Sequence, residues 1–245
     1  MSSCPKIHWY SLGASTIGPG HVACGLPNQD YWGEMHVGRY DVIVAADGLG
    51  SCINSDIGSR AVCESVMSVV EGMARGGDVL TDSAFLDGVL REYLRRLSGR
   101  NPTACATTCQ IAICDGHEIK IFQIGDGLAA VLCKDGSVDV VSEDKQDGFS
   151  NLVNPLLATT TMNDWRRVSH SCDLCVGVVL CTDGIADDLA DVEGFVSELL
   201  LECSTECGDV VEKNMVEMLH NWPVPKHTDD KTLVCLFRRG GVDHA

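Results

Sequence analysis

Acidic residues recur in this chain where an apolar run begins or ends. Asp47-Gly48 closes the run DVIVAA, and Gly125-Asp126-Gly127 falls between two further runs. Thr182-Asp183-Gly184 follows VVLC, and Asp229-Asp230 stands just before TLVCLF. Any one of these is an ordinary turn, because Asp and Gly supply turn chemistry wherever a strand stops. Gathered at one sheet edge, however, several carboxylates repel one another strongly. Divalent cations are the natural compensation. Oxygen-only ligands favour Mg²⁺ or Mn²⁺ over zinc, and the glycines let a backbone carbonyl or a water approach the ion.

The spacing of apolar residues predicts the elements that would hold these positions. Ile7–Thr16 and Tyr40–Ala46 read as strands, the second being rich in β-branched residues. Residues 54–73 and Ser83–Leu97 carry apolar positions at helical spacing. Strands are expected at Ala106–Cys114, Glu118–Ile124 and Leu128–Cys133, with Asp115-Gly116 and Asp135-Gly136 as hairpin turns. A strand at Asp173–Cys181, helices near Val192–Cys203 and Glu206–Leu219, and a final strand at Thr232–Phe237 follow. Hairpins with paired amphipathic helices describe an α+β sandwich of packed antiparallel sheets, not an alternating parallel sheet. No repeat or long linker interrupts the pattern, so residues 1–245 read as one domain.

Composition narrows the function classes. The 245 residues include 18 Lys and Arg against 35 Asp and Glu, a formal charge of −17, with 45% hydrophobic residues. Such a chain can build a core, and without a Lys/Arg cluster it should repel phosphate backbones, so nucleic acid is not an expected partner. No apolar stretch reaches the ~18 residues of a membrane span, and Met1–Tyr10 has no apolar run of the signal-peptide kind. Most of the 14 cysteines sit inside apolar runs, where Cys behaves as a small buried hydrophobe. A structural zinc on Cys172 and Cys175 would need Cys203 and Cys207 as its second pair, and a helix already accounts for that spacing. Reduced thiols and a cytoplasmic location are the expectation.

AADGLG, GDG, CTDGIAD and DDKT occur in an order that resembles the protein phosphatase 2C family, the metal-dependent protein phosphatases. GPGHVACGLPNQD is similar to that family's opening motif in a compact bacterial branch, with Gln-Asp where other members have Glu-Asp. TACATTCQIAI resembles its Thr-rich strand. The set spans roughly Leu12 to Phe237. The resemblance implies a four-layer α-β-β-α sandwich with two Mg²⁺ or Mn²⁺ ions at one end. It implies a serine/threonine phosphoprotein phosphatase in which a water bridging the ions, its pKa lowered by them, attacks phosphorus directly. Asp47 matches the bridging ligand, Gly48 the carbonyl ligand and Asp183 the next acid. Holding Thr232 in register puts Asp229 on the metal and Asp230 where the family usually has Asn; a slip of one residue exchanges them, so both are metal candidates. Asp126 and Asp187 match a weaker third metal site. Gln29 and Asp30 match the pair that orients metal-bound water.

Two positions depart from the family. The phosphate-binding Arg is replaced by Gly25, with no Arg before Arg39, and the general-acid His after the first metal motif is Leu49. His21 is then the candidate for contact with the substrate phosphate. These losses motivate an alternative: a pseudophosphatase or partner-binding switch module with little turnover. On either reading the expected partners are proteins phosphorylated on Ser or Thr, with no membrane attachment and a monomeric chain.

Overall fold

The computed structural model describes residues 8–77, 81–141 and 154–239. Two five-stranded antiparallel sheets face each other. One is formed by β1 (Tyr10–Thr16), β10 (Lys231–Phe237), β9 (Cys175–Cys181), β6 (Leu128–Cys133) and β7 (Val138–Val141), in that order. The other is formed by β2 (Asp30–Val37), β3 (Tyr40–Asp47), β4 (Cys109–Cys114), β5 (Glu118–Ile124) and β8 (Arg166–Ser171). Ile7, with which the expected first strand begins, lies outside the described residues.

Alternation along the strands sends side chains to different layers. Ile43 and Ala45 of β3 meet Val234 and Leu236 of β10 between the sheets, whereas Val42, Val44 and Ala46 face outward. That outer face is covered by α2 (Ser55–Gly76) and α3 (Asp82–Arg96). Leu233, Cys235 and Phe237 face the opposite way, under α5 (Val192–Thr205) and α6 (Gly208–His220). The four-layer α+β sandwich expected from the sequence is therefore the fold. Val62, Val66 and Val70, spaced by one helical turn, are completely buried along α2. Each such side chain stabilises the fold by about 1.5–3 kcal/mol relative to an exposed one.

Helix α2 also approaches the chain closely at Gly58, where an added Cβ would lie 2.0 Å from the Cys105 carbonyl oxygen. Only glycine fits there. Gly58→Ala is expected to cost about 2 kcal/mol through overpacking, a fall in Tm of roughly 4–8 °C in a chain of this size. A melt of the variant within 1 °C of wild type would count against that packing.

The structure adds elements that the apolar pattern does not show. β2, β7 and β8 have mixed polar sequences because each lies at a sheet edge or beside one, with less surface to bury. Residues Pro19–Cys24 form a short helix, α1, and Asp183–Ala186 form another, α4. The expected strand at Ala106–Cys114 is regular only from Cys109, because Thr107 and Thr108 are engaged with Asp47. Cys172 and Cys175 lie in the core between the sheets while Cys203 lies in the outer core, so the CxxC does not meet the second pair that a zinc site would need. The Cys172 sulfur sits 3.2 Å from that of Cys114 instead.

Candidate active site

The antiparallel registers bring the acidic residues to one end of the sandwich. Asp30 opens β2 and pairs with Asp47, which closes β3. Asp126 lies in the turn from β5 to β6, and Leu128 of β6 and Leu233 of β10 both pair with Cys181, just before Thr182-Asp183. Asp229 and Asp230 immediately precede β10. Pairing within each sheet, the β5–β6 turn and the packing of the two sheets on each other thus bring five separate chain segments to one end.

The backbone around Asp47 is pinned. Its carbonyl accepts from the Thr107 hydroxyl at 2.8 Å and the Thr108 N–H at 2.8 Å, and its own N–H donates to the Thr108 hydroxyl at 2.9 Å. The Gly48 N–H donates to the Gln29 carbonyl at 3.0 Å, tying the first metal motif to the opening one. Thr182, fully buried, donates its hydroxyl to Asp30 Oδ2 at 2.8 Å and accepts the Thr232 N–H at 3.1 Å. Thr107 and Thr108, within TACATTCQIAI, and Thr182, within CTDGIAD, are positioning groups whose contacts the motifs alone do not give. Their signal is a hydroxyl residue beside, or opposite, each acid.

The charges are crowded. Burial, then the Asp30, Asp183 and Asp229 carboxylates, push the Asp47 carboxyl well above the usual range. Asp183 is pushed up to about 7 by burial and then by Asp229, Asp126 and Asp30. Asp30 also rises to about 7, chiefly through burial, against hydrogen bonds from Thr182 and Thr232 that favour its ionised form. Asp30 Oδ1 and Gln29 Oε1 are buried and meet no hydrogen-bond donor. Orphaned buried oxygens and mutually repelling carboxylates are what a cation would satisfy, and the donor set is entirely oxygen, so these residues fit Mg²⁺ or Mn²⁺. Among the described residues no three His, Cys, Asp or Glu side chains are already drawn into an ion cage.

Not every candidate joins the cluster equally. Asp229 is exposed, whereas Asp230 is buried and bonded to Gly18, His21 and Gln29. Asp187 ends α4 on an exposed position, its N–H bonded to the Asp183 carbonyl. The Leu49 N–H donates to the Ala106 carbonyl at 3.0 Å. Lys231, only 1% exposed, was not anticipated. Its ammonium donates to the Asp229 carbonyl at 3.0 Å and to His227 Nδ1 at 2.9 Å, fixing the backbone of an acid at the site. Arg60 of α2 was also unanticipated. With Asn28, Asp30, Tyr31 and Trp32 it lines a groove of about 570 Å³ leading from Asp30, and its guanidinium sits 5.7 Å from the centre of the Tyr31 ring.

Proton binding at this site opposes ion binding. Because Asp30 and Asp183 hold protons to about pH 7 in the folded chain and to near 3.8 otherwise, their contribution to ion-free stability is fully present below about pH 4 and lost as pH rises through 7. Added Mn²⁺ should therefore raise Tm more at about pH 8 than at about pH 6, where protons compete for the same oxygens. Thermal shift across that range checks it; an equal gain at both pH values would contradict it.

The chain is thus a β-sandwich with acids at one end and helices on both outer faces. A protein phosphatase 2C family model matches residues 17–220, and the chain belongs to that family of metal-dependent protein phosphatases. Comparison with curated proteins found no match. Among solved structures, the chain is similar to the serine/threonine phosphatase Stp1 from Staphylococcus aureus, with TM-score 0.69 and 14% identity, covering 95% of this chain and 96% of that one. It is similar to the phosphatase domain of SpoIIE from Bacillus subtilis, solved with a fragment of its regulatory domain, with TM-score 0.63 and 14% identity, covering 96% of this chain and 65% of that one. RsbX in complex with magnesium matches with TM-score 0.59 and 12% identity, covering 94% of this chain and 96% of that one. At these identities the likeness establishes the shared fold. No described helix is long and apolar enough to cross a membrane.

Proposed function

We propose that this protein is a serine/threonine phosphoprotein phosphatase that uses Mg²⁺ or Mn²⁺, acting through a single catalytic domain. The observation that carries this reading is the crowding of carboxylates from separate strand ends: on top of burial, Asp30, Asp183 and Asp229 raise the proton affinity of Asp47, and Asp229, Asp126 and Asp30 raise that of Asp183. A module that only bound partners would gain nothing from keeping such repulsion; a hydrolase that recruits cations there does. Asp47, the Gly48 carbonyl, Asp183 and Asp229 would hold two ions, and Asp126 with Asp187 a weaker third. Bound there, the ions supply Lewis acidity toward the phosphoryl oxygens and an ionisable water at neutral pH.

The chain's own groups do the rest. Asp30, held by Thr182, presents its unpartnered Oδ1 to orient water or accept a proton, with Gln29 beside it. The groove from Asp30 past Arg60 suits the peptide around a phosphorylated Ser or Thr. Arg60 supplies a cation on its wall, although Gly25 supplies none in the opening motif. The alternative, a phosphoprotein-binding switch without turnover, draws support from Gly25 standing where most relatives have Arg and Leu49 where many have His. Release of inorganic phosphate from phosphoserine and phosphothreonine peptides in the presence of Mn²⁺ separates the two. Multiple turnovers are expected; tight peptide binding with no phosphate released would establish the switch.

A further inference from the structure

We propose that Asp230 is a positioning residue and not a metal ligand: it fixes His21 in the Nδ1–H tautomer and latches the opening segment onto the stretch before β10 that carries Asp229. This rests on the phosphatase reading only in assigning His21 to the substrate.

Asp230 is 1% exposed, and both of its oxygens are committed. Oδ1 accepts the Gly18 N–H at 2.6 Å; Oδ2 accepts the Gln29 N–H at 2.6 Å and meets His21 Nδ1 at 2.8 Å. Bonds from N–H groups to a carboxylate at these lengths are among the stronger ones in proteins, and a cation could replace them only by uncovering buried donors. Asp229, exposed beside it, accepts the Asp230 N–H at 3.0 Å on Oδ1 and has no bond from the opening segment.

The three donors all come from one stretch of chain more than 200 residues away, between Gly18 and Gln29. The same stretch is seated against the backbone before β10. The Gly20 N–H donates to the Thr228 carbonyl at 2.9 Å, and a Cβ at Gly18 would lie 2.3 Å from the Asp229 carbonyl carbon. Asp230 therefore sets where α1 begins and where Gln29 delivers Asp30 to the acidic cluster. An ionised carboxylate has no proton to give, so the contact with His21 requires the hydrogen on Nδ1. Nε2 is left with its lone pair and accepts a hydrogen bond, from water or from a protonated phosphoryl oxygen of the substrate. Orientation of an imidazole by a carboxylate on its other nitrogen is a general means of fixing tautomer and direction.

The tautomer is measurable without turnover. In ¹⁵N-histidine-labelled full-length protein loaded with Mg²⁺, the ring signals of His21, assigned by their loss in His21→Ala, should show the Nδ1–H form. Asp230→Asn, which must place an amide NH₂ against one of the donors, should shift it toward Nε2–H or a mixture. An Nε2–H or freely averaging His21 in the wild type overturns the proposal whether or not Asp230→Asn folds, and whether or not the chain proves to be a phosphatase. Kinetics and metal titration give a second arm. His21→Ala and Asp230→Asn should each lower kcat on a phosphoserine peptide by about 10-fold or more, and the double variant should fall within about 2-fold of the worse single one. The Mg²⁺ midpoint by thermal shift should move less than about 2-fold in Asp230→Asn and about 10-fold or more in Asp229→Asn. Multiplicative losses, or a metal midpoint displaced in Asp230→Asn as far as in Asp229→Asn, would refute it.

Discussion

Asp47→Asn should lower turnover of a phosphoserine peptide by at least ~10²-fold at saturating substrate. The carboxylate closes β3 directly opposite Asp30, and its neighbours Asp30, Asp183 and Asp229 all push its proton affinity upward. The amide keeps the shape and the Thr107 and Thr108 bonds, which involve only the Asp47 backbone. What it removes is the charge that draws cations. The same change relieves repulsion in ion-free protein, so in chelator at about pH 8 the variant should melt at or above the wild-type temperature while failing to gain from Mn²⁺. Loss of activity with retained or higher ion-free stability separates a ligand from a structural residue. Asp183→Asn should match Asp47→Asn. Asp126→Asn, belonging to the weaker third site, should impair turnover less. Equal and total loss at all three positions would argue against separate metal sites, and wild-type turnover in Asp47→Asn would remove the residue from the centre.

Exhaustive chelation followed by dialysis should abolish phosphatase activity, and Mn²⁺ or Mg²⁺ should restore it. The reason lies in the donors: carboxylates and a carbonyl hold these hard cations in exchangeable fashion, unlike thiolate sites that retain zinc. The carboxylates also have nowhere else to turn. Asp30 Oδ1 is buried without a donor, and Asp183 is ionised only in part near pH 7 without a cation. Phosphate release measured before chelation, after it, and after each metal is returned checks this directly. Activity that survives chelation undiminished would show that the acids work without ions and would overturn the proposed chemistry, though not the fold.

The acids at the strand ends, the buried strands and the long helices were legible in the sequence because each is a local property. Asp47, Asp126, Asp183 and Asp229 adjoin runs apolar enough to declare themselves, and α2 and α3 repeat valine and leucine at helical spacing. The order of four motifs then sufficed for the family. Edge strands β2 and β8 were not legible, because a strand paired on one side and partly solvated carries no apolar signature. Nor was the helix at Pro19–Cys24, which has no buried residue and is seated by backbone bonds to Thr228 and Asp230 instead. Which of the adjoining acids Asp229 and Asp230 is surrounded by donors is likewise a tertiary fact. Neighbours in sequence share composition and register, and only the return of a segment from the other end of the chain distinguishes them, by hydrogen bonds to one carboxylate and not the other.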